Sequence, residues 1–132
     1  MNGRKFVHAN RIACALAAAF LLFLFLYPHF VMRRLTPRLR QGAEEAKTYV
    51  LSEEWEEAEH VFSEVWEAFK EKKAFLKMFF DHEDVDELSV AFDTCGAMIS
   101  VKEPQALAEL ARIANIVQYL YEIEAFRWYS LI

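Results

Sequence analysis

The chain has 132 residues and a net charge of −5, and that average hides two opposed parts: residues 1–40 carry +7 with no acid, and residues 41–132 carry −12. One domain fits in this length, and a strongly acidic body lacks the basic face that phosphate binding needs, so no nucleic acid is expected as a partner. Three Gly and three Pro are too few for the closely spaced turns of a β-sandwich or barrel, and leave no glycine-rich nucleotide loop.

Residues 1–11 form a short basic tail with Arg4, Lys5 and Arg11. From Ile12 to Tyr27 every residue is apolar, and no charge appears before Arg33. A helix over 12–32 would be roughly 31 Å long, which matches the hydrocarbon thickness of a bilayer. A signal peptide needs small residues before its cleavage site. Here the run ends in Phe-Leu-Tyr-Pro-His-Phe-Val-Met, so an uncleaved transmembrane anchor is expected. Basic residues flank both ends, including Arg33, Arg34, Arg38 and Arg40, so the positive-inside rule is nearly balanced. A short tail before one span and a large body after it suits a cytoplasmic N-terminus with the body outside the cytoplasm.

Leu35, Leu39, Ala43, Ala46 and Val50 recur at helical spacing, which predicts a juxtamembrane helix within 33–51 that starts at Pro37 with Thr36 as its cap. Residues 52–132 read as an acidic helical bundle. Ser52 is placed as the cap of a helix over about 53–80, with Trp55, Ala58, Phe62, Val65, Phe69, Leu76 and Phe79 on one face and Lys72 interrupting it. Its glutamates crowd the first turns and its lysines the last, as the helix dipole favours. Asp81 caps a third helix with the stripe Val85, Leu88, Phe92, Cys95 and Ile99. Pro104 opens a fourth, lined by Leu107, Leu110, Ala111, Ala114, Val117, Leu120 and Tyr121. The expected fold is all-α: an N-terminal transmembrane helix followed by an up-and-down bundle of three to four amphipathic helices.

No Ser/His/Asp or Cys/His set with supporting motif context is present, so no catalytic residue and no cofactor are expected. The densest polar cluster with a histidine is Asp81-His82-Glu83-Asp84. His82 and Asp86 share a helical face and are the only metal-ligand candidates, but a cation needs more converging donors than these. Candidates for a partner or membrane interface are Trp66, Trp128, Tyr129, Arg33, Arg34, Lys73 and Lys77. If the helices alternate in direction, Trp128 and Tyr129 return to the bilayer surface, where such rings are favoured. Lys70, Lys73 and Lys77 would then join Arg33 and Arg34 in a basic collar.

The segment Glu54-Trp55-Glu-Glu-Ala58, the second tryptophan Trp66, the helix ending in Asp81-His82-Glu83, the acidic Val85-Asp86-Glu87-Leu88 and the last helix Ala106–Glu124 resemble the bacterial family of domain of unknown function 4363. The resemblance covers about residues 35–128, and the Asp-His-Glu step is its most specific piece. It departs at the C-terminus, where Trp128-Tyr-Ser-Leu-Ile132 replaces the family's usual ending. It implies a short membrane-anchored helical protein of endospore-forming bacteria and their relatives, with some members near spore-membrane genes, and assigns no activity. The expected role is a single-pass, non-enzymatic interaction or scaffold protein of a bacterial envelope, held in lipid through 12–32 and bound to another membrane or envelope protein or to itself. Two alternatives stand beside it: a metal-binding or sensing module at Asp81-His82-Glu83, and a helical-repeat-like peptide binder with a groove near Trp66.

Overall fold

A computed structural model describes residues 2–131 of the chain, all in four α-helices and their short turns, with no strand among them. They are α1 (Asn2–Leu51), α2 (Trp55–Phe79), α3 (His82–Ser100) and α4 (Ala106–Leu131). Each packs against its two neighbours in a ring, α1 on α2, α2 on α3, α3 on α4 and α4 on α1, which is an up-and-down four-helix bundle.

α1 departs from the expected break at Pro37. It is one helix of 50 residues with Pro28 and Pro37 inside it, roughly 75 Å long. Each proline removes one backbone donor, leaving the carbonyls of Leu24 and Arg33 without their usual helical partners. Interior proline costs about 3 kcal/mol in an isolated helix, so packing has to offset it for the helix to continue. The evidence of that packing is the buried stripe Val31, Met32, Leu35, Leu39, Ala43, Ala46 and Val50. Thr36 is no cap: it sits mid-helix, buried, and its hydroxyl has no hydrogen-bond partner among the described residues. Residues 33–51 are therefore the C-terminal half of α1 and supply the same core as α2, α3 and α4. Before Pro28 the helix leaves the bundle. Phe6, Ile12, Leu16 and Phe20 to Phe25 are exposed, over a stretch long and apolar enough to cross a membrane.

The core repeats the predicted stripe in α3, and in α2 it repeats Ala58, Phe62, Val65, Phe69 and Leu76 while Trp55 and Phe79 are half-buried. Phe69 and Phe92 stack at 4.8 Å between ring centres, both without solvent exposure. Burying a side chain of this kind contributes about 1.5–3 kcal/mol. In α4 the buried face is Ala106, Leu110, Ile113, Val117, Leu120 and Glu124, with Ala111 outside, so the stripe is turned relative to the expected one. Cys95 is fully buried and its thiol donates to the Ala106 carbonyl across 3.9 Å; burial pushes its pKa up to about 12.

Two of the three turns use one device. At the end of α1, Glu54 N–H donates to Tyr49 O and Glu53 N–H to Val50 O; at the end of α3, Glu103 N–H donates to Met98 O and Lys102 N–H to Ile99 O. These are Schellman closures, and the left-handed position is held by Glu53 (φ 57) and Lys102 (φ 58), where glycine is the usual residue. This displaces Ser52 from its expected capping role: the residue before α2 is Glu54, and no side chain caps it. Pro104 likewise lies in a tight turn, with Leu107 N–H donating to Pro104 O, before α4 begins at Ala106. Asp81 does cap α3, its carboxylate accepting from Glu83 N–H at 2.9 Å.

Among the described residues no side-chain polar bond joins α1 to α2, whereas Arg40 reaches Gln118, Lys77 reaches Asp86 and Arg112 reaches Glu87 across the other three interfaces. α1 and α2 are joined by close approach: a Cβ on Gly42 would run into Val65 Cγ2. Val is stiff at χ1 and cannot swing away cheaply. Gly42→Ala should therefore destabilise the bundle by about 1–2 kcal/mol, overpacking outweighing the helix propensity gained, and Val65→Ala in the same chain should recover most of the loss. Melting of the detergent-solubilised chain by circular dichroism checks both. Glu53→Gly and Lys102→Gly should each raise the melting temperature in that assay, by about 0.5–1 kcal/mol of stability, because the positive φ then carries no Cβ penalty.

Candidate functional site

The ends of the bundle differ in chemistry. The distal end holds the two charged turns at Glu53 and Lys102. The proximal end surrounds the point where the apolar part of α1 emerges, and it is aromatic. The Trp128 ring of α4 stacks on His29 at 4.3 Å and on Phe25 at 5.2 Å between ring centres. On the other flank, Tyr27 meets Phe75 of α2 edge-on at 5.1 Å, and Phe75 lies 4.8 Å from Phe79. Met78, Phe126, Tyr129 and Leu131 stand exposed at the same end. Offset and edge-on pairs of this kind add about 0.5–1.5 kcal/mol beyond burial.

Arg127 closes this end. Its guanidinium donates to the Phe79 carbonyl at 2.7 Å, so a cation of α4 caps the C-terminus of α2, where the dipole favours it, and it lies 5.5 Å from the Phe80 ring centre. One turn earlier Glu124 is buried. Burial raises its carboxyl above the ordinary value, while Arg127 and His29 pull the other way.

The predicted interface residues fall in three places. Trp128 and Tyr129 are at the aromatic end. Trp66 is not: it lies between α2 and α3, where a Cβ on Gly96 would come within 3.0 Å of its ring, with Lys70 Nζ 4.3 Å from its centre. Arg33 and Arg34 flank opposite sides of α1. Arg33 faces a groove toward α4 lined by Thr36, Pro37, Arg40, Gln118 and Tyr121; Arg34 faces one toward α2.

The lysines expected to join them turn elsewhere. Lys73 donates to Ser89 Oγ at 2.9 Å, Lys77 pairs with Asp86 at 2.7 Å, and Lys70 pairs with Glu67 at 3.1 Å. Lys72, which interrupts the apolar stripe, instead joins Arg34 and Arg38 in the α1–α2 groove. Its signal in the sequence was that interruption: a lysine on the core-facing side of a helix has to emerge in a cleft.

The acidic cluster divides its members among separate tasks. Asp81 is a cap, His82 is exposed, and Asp86 is held by Lys77, whose hydrogen bond keeps its carboxyl below the ordinary range. Among the described residues no three His, Cys, Asp or Glu side chains converge as a metal site would require.

The sequence profile of a family described as "Domain of unknown function (DUF4363)" matches residues 29–130. The matched segment begins where α1 enters the bundle. No curated protein and no solved structure matches the chain.

Glu124 supplies a test of this end's electrostatics. A carboxyl raised by folding favours the folded state below its ordinary pKa of 4.5 and loses that advantage as pH rises through the folded value. Glu124→Gln should therefore raise the melting temperature at neutral pH and leave it unchanged near pH 4. A drop at neutral pH would show that Arg127 and His29 outweigh the burial.

Proposed function

The chain belongs to the DUF4363 family, and we propose that it is a non-catalytic, single-pass membrane protein whose bundle is an interaction module held against the bilayer surface. The anchor of residues 12–32 is uncleaved, its exposed stretch before Pro28 lying in lipid and Pro28, Val31 and Met32 packed on the bundle, with the N-terminus in the cytoplasm and the body outside it. The partner is another membrane or envelope protein, or a second copy of the chain; sporulation membranes are the setting that the family resemblance favours.

The observation that carries this is the continuity of α1. The apolar run and the first helix of the bundle are one rod, and Pro28, Val31 and Met32 at their junction are already buried in the bundle. A processing enzyme needs an accessible, extended site with small residues, and here the junction is helical, bulky and packed. The aromatic end supports the same reading. Trp and Tyr partition to the headgroup level, and Trp128, Tyr27 and Tyr129 gather where the rod leaves the body. A body of strongly negative charge stays off an anionic surface and meets it only through this end and the arginines above it.

Membranes from cells making the full chain should keep it after a carbonate wash, and Edman sequencing should find residues before Ile12 on the mature product. Release by the wash, or a start beyond Met32, would sink the anchor. Trypsin added outside intact cells should cut the exposed Lys102 turn; protection of that turn would reverse the orientation.

A further inference from the structure

We infer that the groove between α1 and α2 at the emergence point is a binding site for the headgroup of an anionic phospholipid. It is lined by Tyr27, Phe30, Val31, Leu35, Arg34, Arg38 and Lys72, with a volume of about 480 Å³. The inference rests on the anchored reading above.

Three observations carry it. First, the lining is sorted along the helix. Tyr27, Phe30 and Val31 form the lower rim, continuous with the exposed apolar face of α1, and the three cations lie above them. An amphiphile with its tail along the rod and its anion upward matches that order. Second, the cations lack partners. Arg34 and Arg38 are an i, i+4 like-charge pair, a spacing that costs an isolated helix stability, and Lys72 is brought beside them from α2. No acid lines the groove, and among the described residues none of the three takes part in an ion pair. Lys70, Lys77 and Arg112, by contrast, each have an acidic partner. In a chain with 20 acids to 15 bases, three converging unpaired cations leave a phosphate-sized charge to be supplied from outside. Third, the lower wall is fixed, since Tyr27 is held edge-on against Phe75.

A free anion would use the cations but not the apolar rim, and an acidic peptide would have to lie partly in the acyl region. A lipid phosphate satisfies both halves, with charge-assisted bonds from the arginines.

The full chain, purified in neutral detergent, is titrated with phosphatidylglycerol, phosphatidylcholine and inorganic phosphate, and lipid retained per chain is read by native mass spectrometry. Phosphatidylglycerol should bind about tenfold more tightly than phosphatidylcholine. Arg34→Gln with Arg38→Gln should lower its affinity about tenfold, and Lys72→Gln alone about fivefold. Arg33→Gln with Arg40→Gln removes the same charge from the other side of α1 and should change it less than about twofold. Equal losses in the two double variants would mean diffuse surface attraction and overturn the site. So would the absence of a preference for phosphatidylglycerol, or its displacement by inorganic phosphate at matching concentration. A chain kept by carbonate-washed membranes but without the lipid preference fails only here, whereas a chain released by the wash fails the anchor itself.

Discussion

The structure depends on one rod doing two jobs. α1 is apolar all round from Ile12 to Tyr27 and carries an apolar stripe from Val31 to Val50. Among the described residues most of the apolar run is exposed, and the stripe is buried by α2 and α4. Because no break separates them, the direction in which the rod leaves the bundle is fixed by side-chain packing. Pro28 and Pro37 are the points where a hinge would form. Pro28 is itself buried in the bundle, and Pro37 lies between the buried Thr36 and Leu39. Rigid coupling between a buried body and an apolar rod has a direct geometric result: the proximal ends of α2 and α4 are held beside the rod, and their aromatic residues cannot drift from it.

The proximal end is also where the electrostatics are sorted. Lys73 and Lys77 bind across to α3 and leave the α1 side to Lys72, while Arg127 turns inward to cap α2. Cations that close on the bundle stabilise it, and those left over face the rod. Exposed pairs such as Lys70 with Glu67 contribute little by themselves, but Lys70 and Lys77 are each matched by an acid, whereas Arg34, Arg38 and Lys72 are not.

Much of the fold was readable along the chain, because burial imposes a period. Leu35 to Val50 in α1 and Val85 to Ile99 in α3 follow that period and are buried as read. Asp81 was readable as a cap because its chemistry is local. The misreadings share a cause. Thr36-Pro37, Ser52 and Pro104 are good local signals for helix starts, yet each is overridden by something non-local or longer in range: the packing of α1, and Schellman closures after which the next helix starts two residues later than expected. In α4, alanines at many positions blur the phase, so the spacing points to Ala111 where Ile113 is buried. The candidate site was less legible still. Trp128 could be flagged as an aromatic near the end of a helix, but its stacking on His29 depends on the register of α4 against α1. No spacing within either segment encodes that register. Lys72 was visible only as a flaw in a stripe, and its meaning came from the arginines that a different helix placed beside it.

Cys95 has a consequence for where such a body can be built. Its thiol is sealed inside the bundle, held as the protonated form, and remote from the single other sulfhydryl, Cys14, on the projecting part of α1. No covalent crosslink contributes to the architecture, and no oxidant or reductant is needed to complete it. The same four helices can assemble in a reducing cytosol or in an oxidising exterior, so the fold is indifferent to the side of the bilayer on which translation leaves it.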